Sequence, residues 1–374
     1  MKIVDVKTRY LRLPVTSLNG DNLQDILLVE VHTDAGIVGI GEVHTNPLAA
    51  RAIIDAIGYH TSSRGIKEVL LGENPLEIGR LWDKMYSLTQ SYGRRGLLIN
   101  VISGIDIALW DILGKTLNQP ISALLAGGRR TEVAAYASDL TPPTIEETVD
   151  LLQKHVGNGF RAVKIGWGKL GADIHHDVER VARARRSLGA SIDIMVDLGM
   201  PIKLGDAIWL GNAMAEHNVF FLEEPLSPDD FRGWKHLIDR SPTAIATGEK
   251  ETTRYGFEDL MDRGGLRIIQ PDIARAGGIT ECIRIAALAE IRGVQVIPHC
   301  WSSDILVAAS LHFISSLSDC PYLEFNVMEQ PLRTMLCVDP IRPVDGVVAV
   351  PKGPGLGIEL NEEVVRRYES LDMR

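Results

Sequence analysis

Cysteine is scarce in this chain, and the few cysteines present form no pair or cluster. The 374 residues include four cysteines, and none of them belongs to a CxxC motif: Cys282, Cys300, Cys320 and Cys337. This distribution argues against a disulfide-rich scaffold and against a cysteine-ligated zinc site. It is typical of a protein that works in the reducing cytoplasm, which is the location we expect.

The chain also has fewer basic than acidic residues, and it has no long apolar run. The chain has 39 Lys and Arg residues against 49 Asp and Glu residues, a formal net charge of −10. Nucleic acids and anionic membranes are bound through basic patches, so this balance argues against both as partners. The chain has no run of 18 apolar residues, and its first residues, Met1–Asp5, are not those of a secretion signal. We therefore expect neither a membrane span nor export.

Several common catalytic motifs are missing as well. No GxGxxG motif follows a predicted strand, and the chain contains no P-loop, HExxH or GxSxG motif. These absences argue against the nucleotide-binding, zinc-peptidase and serine-hydrolase classes that depend on them. The loops after the last two predicted strands also lack a glycine-rich phosphate cradle, so a phosphorylated substrate is not expected.

What the chain does contain is a regular series of four acidic residues and one histidine. Its members are Asp197, Glu223, Glu249, Asp272 and His299, separated by 26, 26, 23 and 27 residues, and each follows a short apolar run. A strand, a turn and a crossover helix together take about 25 residues, which places one member at the end of each successive strand. Functional groups at the carboxyl ends of parallel strands form the active site of a (β/α)₈ barrel. The spacing therefore predicts an enzyme.

Two patterns divide the chain. Extended segments at 2–12, 25–32 and 37–43, followed by helical periodicity, predict an α+β domain. From about Thr131, strands alternate with helices, which predicts a parallel barrel. The expected barrel strands are 132–138, 161–165, 193–197, 219–223, 243–247, 266–270, 294–298 and 321–325. The predicted domains are a cap of 1–125, completed by 346–374, and a barrel of 126–345. The polar loop Val15–Gln24 could be a disordered connection or a lid over a site.

Three of the acidic residues predict a divalent metal site. Hard cations such as Mg²⁺ prefer carboxylate oxygens, whereas zinc prefers histidine or cysteine. A single acidic residue would be better explained as a helix cap or a solvated charge. Asp197, Glu223 and Glu249, with near-equal spacing at strand ends, favour the metal site.

Asp272 and His299 predict an acid–base pair. They end neighbouring strands, and a carboxylate that accepts a hydrogen bond from one imidazole nitrogen raises the basicity of the other. A packed structural histidine is the alternative, and the position on the catalytic face argues against it.

Two further residues end barrel strands. Glu324 ends the eighth strand and could donate a hydrogen bond to a substrate oxygen if protonated, or pair with a neighbour. Lys164 ends the second strand and could hold an anionic group in the barrel mouth, or be a surface lysine.

These residues, with the motifs around them, resemble the enolase superfamily and its mandelate racemase-like subgroup of sugar-acid enzymes. The motifs span essentially the whole chain: Ser103 to Asp111, Glu223-Glu224-Pro225, Gly248-Glu249, Gln270-Pro271-Asp272, Pro298-His299 and Leu323-Glu324-Phe325. The resemblance implies an α/β fold, a modified (β/α)₇β TIM barrel with an α+β capping domain. It also implies Mg²⁺ on Asp197, Glu223 and Glu249, a catalytic dyad of Asp272 and His299, and Glu324 hydrogen-bonded to an enolate. A homo-oligomer, from dimer to octamer, is the assembly it implies.

The chain departs from the family pattern at two places. The family has Lys-x-Lys at the second barrel strand, and this chain has Lys164-Ile165-Gly166. Leu198-Gly199 stands where the family often has a polar residue. A racemase needs a base on each face of its substrate, so loss of the second lysine favours chemistry on one face. His299 would then remove the α-proton and protonate a leaving β-hydroxyl, producing a 2-keto-3-deoxy acid, unless Lys169 or Lys164 supplies the second acid or base.

Two alternatives stay open beside the dehydratase hypothesis. A sugar-acid lactone or an anhydro-sugar acid could be cycloisomerised or epimerised through the same enolate. The chain could also be a retired relative that binds a metabolite without turning it over. The presence of all three metal ligands and both dyad residues disfavours retirement. The particular sugar acid or lactone is left open.

Overall fold

The structure is a computed structural model that describes residues 1–13, 25–58, 64–125 and 129–370. The loop Val15–Gln24, for which the sequence suggested either a lid or a disordered connection, lies outside the described residues.

The amino-terminal part begins with a three-stranded antiparallel sheet. Its strands are β1 (Ile3–Leu11), β2 (Ile26–Thr33) and β3 (Val38–Val43), in the order β1-β2-β3. The central strand, β2, is aliphatic and largely buried, which suits a strand paired on both sides. In the turn before β3, Gly36 has φ of +75°, a conformation that glycine adopts without strain. The three extended segments predicted from the sequence are confirmed.

Helices follow this sheet and cover it. They are α1 (Pro47–Asp55), α2 (Ile66–Leu70), α3 (Ile78–Gly93), α4 (Leu97–Leu117) and α5 (Ile121–Leu124). Helix α4 packs closely on β3, where a Cβ on Gly41 would lie 2.0 Å from the carbonyl oxygen of Gly104. By length and composition α4 could cross a membrane, but 83% of its most apolar 18-residue window is buried inside the protein. It is the core helix of the cap.

Within residues 129–370, eight parallel strands alternate with seven helices to form the barrel. The strands are β4 (Glu132–Leu140), β5 (Ala162–Gly166), β6 (Asp193–Asp197), β7 (Val219–Glu223), β8 (Ile245–Thr247), β9 (Ile268–Ile269), β10 (Gln295–Val296) and β11 (Leu323–Asn326). The helices between them are α6 (Ile145–Gly157), α7 (Ile174–Leu188), α8 (Leu204–Ala215), α9 (Phe231–Ile238), α10 (Thr253–Asp262), α11 (Gly278–Ile291) and α12 (Asp304–Ser316).

The strand order confirms the modified barrel. The order is β10-β9-β8-β7-β6-β5-β4-β11, with the last strand paired in parallel to the first. After β11 the chain forms a four-residue helix, α13 (Pro331–Thr334), in place of an eighth long helix. The fold is therefore α/β, a (β/α)₇β barrel beside an α+β cap. Apolar side chains fill the barrel interior: Tyr136, Ala162, Met195, Phe221, Ala246, Ile268 and Ile297. Because the interior is packed, functional groups can meet only at the barrel ends.

The carboxyl-terminal segment contacts both parts. Strand β12 (Val347–Ala349) pairs antiparallel with β4. Helix α14 (Glu362–Tyr368) lies beside β1, where the backbone N–H of Arg12 donates to the carbonyl of Tyr368 at 2.8 Å. The predicted domain limits stay a prediction: a cap of 1–125 with 346–374, and a barrel of 126–345.

Candidate active site

The register of the parallel strands aligns their carboxyl ends. Gly166 at the end of β5 pairs with Asp197 at the end of β6, and Asp197 pairs with Glu223 at the end of β7. Because parallel strands expose their carboxyl ends on one side of the barrel, the predicted site residues are expected to converge there.

The structure brings all seven predicted site residues together at this end. They are buried: Lys164, Asp197, Glu223, Glu249, Asp272, His299 and Glu324. Five of them line a cavity of about 150 Å³: Lys164, Asp197, Glu249, His299 and Glu324. The other two contact this lining directly, Glu223 through Lys164 and Asp272 through His299.

A larger cavity, of about 830 Å³, lies at the other end of the barrel. It is lined by Arg267 and Gln295, at the starts of strands β9 and β10, and by parts of α11 and α12. None of the predicted site residues lines it. Cavity volume alone would point to the larger cavity. The converging ionisable groups instead identify the smaller cavity as the candidate active site.

Lys164 points into the barrel mouth and is not a surface lysine. Its Nζ lies 2.6 Å from Glu324 Oε1, 3.1 Å from Glu223 Oε2 and 3.3 Å from Asp197 Oδ2. Burial lowers the pKa of Lys164, but Glu223 and Glu324 outweigh it and raise the pKa well above its usual value. Lys164 is therefore a fixed positive charge among carboxylates.

The three predicted metal ligands are buried carboxylates, and two of them, Asp197 and Glu223, contact Lys164. Burial, only partly offset by Lys164, raises the pKa of Asp197 to about 6. Burial and the charge of Asp197 raise the pKa of Glu223 well above its usual value. For Glu249, burial is outweighed by His299, Arg275 and Lys250, which lower the pKa.

The donor set suits a hard divalent cation. It consists of carboxylate oxygens, the ligand type that Mg²⁺ prefers. Among the described residues, the buried Glu223 Oε1 has no hydrogen-bond partner, although buried polar atoms are normally satisfied. An unsatisfied oxygen beside carboxylates with raised pKa values is what a site built for an added cation would show.

Asp272 and His299 are hydrogen-bonded as predicted. His299 Nδ1 lies 2.7 Å from Asp272 Oδ2, and Asp272 Oδ1 accepts from the backbone N–H of Ala274 at 2.7 Å. Burial lowers the pKa of His299, but Glu249, Glu324 and Asp272 raise it to about 9. Burial raises the pKa of Asp272, but His44 and His299 outweigh it and hold that pKa far below its usual range. Asp272 engages Nδ1, and the other ring nitrogen, Nε2, lies 3.2 Å from Oε2 of Glu249, one of the predicted metal ligands.

Glu324 is an acceptor in this arrangement. Its Oε1 accepts from Ser138 Oγ at 2.8 Å and from Lys164, and its Oε2 accepts from the N–H of Cys300 at 2.9 Å. Burial raises its pKa, but Lys164 and His299 outweigh this and lower the pKa to about 2. Donation of a hydrogen bond from Glu324 to an enolate stays a prediction.

Sequence reasoning missed two residues that contact the dyad: Arg275, whose Nε lies 3.7 Å from Asp272 Oδ2, and His44. His44 follows β3 directly, and its Nδ1 lies 2.9 Å from Asp272 Oδ2. A polar residue at the end of an apolar strand was the available signal, the same one that identified the barrel residues. Nothing along the chain indicated that β3 ends against the barrel mouth.

Among the described residues, His44, Asp272 and His299 are the group of possible metal ligands whose ligand atoms all lie within 4.8 Å of one another, and the predicted trio of Asp197, Glu223 and Glu249 is not gathered as closely. Asp272, however, already accepts hydrogen bonds at both oxygens. The Arg275 guanidinium also donates to His44 Nε2 at 2.9 Å. A dication there would displace these donors and lie beside a cation. A hydrogen-bonded network explains the group better than a metal site.

The place of the missing second lysine is open and lacks another amine. Gly166 lines the cavity, and a Cβ on it would meet nothing closer than 3.6 Å. The next residue, Trp167, has φ of +56°. Its indole packs against Gly199 so closely that a Cβ added to Gly199 would lie 2.7 Å from the ring. Lys169 is exposed and does not line the cavity. In the described part of this loop, no lysine replaces the missing one.

Comparison with known proteins identifies the family of this chain. Residues 1–126 match the family model of the mandelate racemase / muconate lactonizing enzyme N-terminal domain, and residues 147–364 match that of the enolase C-terminal domain-like family. The chain is 31% identical to D-galactarolactone cycloisomerase of Agrobacterium fabrum, with 100% of both chains covered. It is 34% identical to L-rhamnonate dehydratase of Saccharopolyspora erythraea, over 93% of this chain and 86% of the relative.

A solved structure extends the comparison to the fold. The 3,6-anhydro-D-galactonate cycloisomerase from Zobellia galactanivorans matches with a TM-score of 0.90 and 32% identity, over 99% of this chain and 100% of that one. The similarity therefore covers the cap, the barrel and the residues that connect them. The resemblance inferred from the motifs is confirmed: the chain belongs to the enolase superfamily, in the group of enzymes that includes mandelate racemase and muconate lactonizing enzyme.

Proposed function

We propose that this enzyme removes the proton α to the carboxylate of a sugar acid and then eliminates the β-oxygen, most simply as water. The product is then a 2-keto-3-deoxy acid. One observation carries the proposal: among the described residues that line the cavity with His299, the only lysine is Lys164, whose ammonium is paired with Glu324, Glu223 and Asp197. One base on one face suits elimination, whereas racemisation needs a base on each face.

We propose Mg²⁺ as the cofactor, held by Asp197, Glu223 and Glu249. Enolase-superfamily enzymes pair a lysine or histidine base with Mg²⁺. The carboxylate donors and the unsatisfied Glu223 Oε1 support the same assignment here. When bound, the ion supplies positive charge that stabilises the negative charge developing on the substrate carboxylate.

The residues of the chain account for the proton transfers. When the imidazole is neutral, His299 Nε2 accepts the α-proton, and Asp272 holds the Nδ1–H tautomer and stabilises the imidazolium that results. The Cα–H electrons move toward the substrate carboxylate to give an enolate, and they then form the Cα=Cβ bond as the Cβ–O bond breaks. The imidazolium returns its proton to the departing hydroxyl, so that water leaves and the enol ketonises. The Lys164 ammonium adds a second positive charge beside the same carboxylates.

Cycloisomerisation is the second candidate, because full-length matches to two cycloisomerases favour it. The same α-proton abstraction applies, but the leaving oxygen is part of a lactone or anhydro ring. Its departure opens the ring, and the product keeps all atoms of the substrate. Release of water therefore separates dehydration from cycloisomerisation.

A keto-acid assay tests the proposal directly. The purified protein with Mg²⁺ is incubated with a panel of mono- and diacid sugars, their lactones and anhydro-sugar acids. We expect a 2-keto acid from at least one compound, and mass spectrometry of that product shows whether water was lost. No keto acid from any member, together with no deuterium incorporation at Cα in D₂O, would contradict the proposal.

A lysine placed at position 166 is expected to supply a second acid–base group, on the face of the substrate opposite His299. Because a side chain fits at Gly166 without a close contact, Gly166→Lys can place an amine on the open side of the cavity. We expect substrate returned with inverted Cα configuration, at roughly ten times the wild-type background or more. NMR of recovered substrate in D₂O measures it. Gly166→Met is the matched control, and equal epimerisation by both variants would refute this expectation.

We also propose a class of substrate and a cellular location. The named relatives act on small sugar acids and lactones, and we propose a small molecule of this class as the substrate. A cytoplasmic location is supported by four free, buried cysteines. Assembly into a homo-oligomer, from dimer to octamer, stays a prediction from the resemblance.

A further inference from the structure

His44 brings a protonated nitrogen from the cap to the catalytic dyad. Its Nε2 accepts a hydrogen bond from Arg275 Nη2 at 2.9 Å. A guanidinium can only donate, so Nε2 carries no proton and Nδ1 must carry it. The Nδ1–H is then the donor to Asp272 Oδ2 at 2.9 Å. Burial and the charge of Arg275 lower the pKa of His44 to about 4, which keeps this imidazole neutral near pH 7.

The Asp272 carboxylate is held from three directions. Oδ2 accepts from His44 and from His299, and Oδ1 accepts from the N–H of Ala274. The two imidazole rings stack with centroids 5.9 Å apart and an interplanar angle of 20°. Rotation of the carboxylate would break at least one of these hydrogen bonds. Loss of His44 would remove one of the two donors that fix Oδ2.

The end of β3 contacts both barrel segments that carry the dyad. Next to Asp272, Arg275 Nε donates to the His44 carbonyl at 3.2 Å. Just beyond His299, the hydroxyls of Ser302 and Ser303 donate to the Glu42 carboxylate, which is fully buried. Two cap residues only two positions apart in sequence, Glu42 and His44, therefore contact the segment that carries His299 and the segment that carries Asp272.

We propose that His44 is a positioning residue, supplied by the capping domain, that orients Asp272 and thereby the Nε2 of His299. The inference rests on the proposed function, because it assigns His299 as the base. It goes further in making the cap part of the acid–base machinery. The competing interpretation is that His44 only ties cap to barrel and contributes stability.

Variants at position 44 separate the two interpretations. In His44→Asn the amide can donate from nearly the place of Nδ1, whereas His44→Leu keeps bulk but cannot donate. We expect His44→Leu to lower kcat by roughly tenfold to a hundredfold, with KM within about threefold, because small displacements of a catalytic group cost this much. His44→Asn is expected to recover most of the loss. A His44→Leu variant with wild-type kcat, or a His44→Asn variant as slow as His44→Leu, would overturn the proposal.

Trp110→Phe is the matched control. The Trp110 indole donates to Thr280 Oγ1 at 2.9 Å, a cap–barrel hydrogen bond away from the dyad. If His44 only tied the cap to the barrel, both substitutions would lower the free energy of unfolding, and neither would change kcat. We expect only His44→Leu to lower kcat.

NMR of the Mg²⁺-loaded, ¹⁵N-histidine-labelled protein tests the positioning role without turnover. We expect wild-type His44 to be neutral and protonated at Nδ1, and a downfield His299 Nδ1–H resonance that persists in Trp110→Phe and His44→Asn. In His44→Leu this resonance should shift upfield or exchange rapidly with solvent. A wild-type His44 protonated at Nε2, or an unchanged His299 resonance in His44→Leu, would overturn the inference. Because these signals need no substrate, they test the role of His44 even if the proposed activity fails. If His44→Leu does not fold, a wild-type His44 protonated at Nε2 still overturns the proposal.

Discussion

Replacement of His299 by asparagine is expected to lower the rate of α-proton abstraction by roughly 10²- to 10⁴-fold, the usual contribution of a general base. Asparagine can still donate from the place of Nδ1 to Asp272, so the carboxylate keeps a partner, but no basic nitrogen remains at the place of Nε2. Because the change removes the base and spares Asp197, Glu223 and Glu249, Mg²⁺ binding is expected to persist. Deuterium incorporation at Cα in D₂O and titration calorimetry with Mg²⁺ measure the two effects.

His312→Asn is the matched control for this substitution. His312 is a second buried histidine, in α12, where its Nδ1 accepts from the N–H of Ser122 and its Nε2 donates to the carbonyl of Leu356, both at 3.1 Å. Its replacement should cost stability and leave the turnover per folded molecule unchanged. Equal loss of turnover in both variants would mean that a damaged fold, and not a missing base, explains the His299 result.

Mg²⁺ is expected to stabilise the wild-type protein and to be required for turnover. Without a cation, the repulsion among Asp197, Glu223 and Glu249 opposes folding near neutral pH, and burial already raises the pKa values of Asp197 and Glu223. An ion that binds only the folded state at a hundred times its Kd adds about 2.7 kcal/mol to the free energy of unfolding. Chemical denaturation with Mg²⁺ and with EDTA measures this gain, and the keto-acid assay under the same conditions measures turnover.

Glu223→Gln tests whether these carboxylates hold the ion. It removes one charge, so the metal-free variant should be no less stable than the metal-free wild type, while its Mg²⁺-dependent gain should fall by more than half. Glu281→Gln is the control, because Glu281 is equally buried but pairs with Arg254 and Arg284 away from the site. It should lose stability and keep the full Mg²⁺ response. Retention of that response in Glu223→Gln would remove Glu223 from the metal site.

The two candidate reactions differ only in the oxygen that leaves. In both, the proposed base His299 works on one face of the substrate, and among the described residues the wall at Gly166 and Trp167 carries no second amine. The chemistry common to the named dehydratase and cycloisomerase relatives is therefore what the site supports most directly. The geometry of the leaving oxygen in the bound substrate decides between them.

Strand lengths show where sequence patterns lose accuracy. The sequence predicted strands at 266–270 and 294–298, and the structure has the two-residue strands Ile268–Ile269 and Gln295–Val296. Pro271 and Pro298 stand at the ends of the predicted segments. Proline has no N–H with which to continue a ladder. The apolar runs predicted the positions of the strands, but the strands are shorter than predicted because the ladder of backbone hydrogen bonds ends before each proline.

The sequence predicted the barrel and a set of site residues, which the structure brings together at one end of the barrel. Local periodicity predicted a parallel barrel and the series from Asp197 to His299, whereas the (β/α)₇β form came from the resemblance to the enolase superfamily. Parallel strands must expose their carboxyl ends on one side. The inward turn of Lys164, the exposure of Lys169 and the contact of His44 with Asp272 were decided only by the tertiary structure. The first two depend on which way a side chain points where a strand ends or a loop follows, which periodicity does not determine. The third joins residues 228 positions apart in sequence, in two parts of the chain whose packing against each other no local pattern encodes.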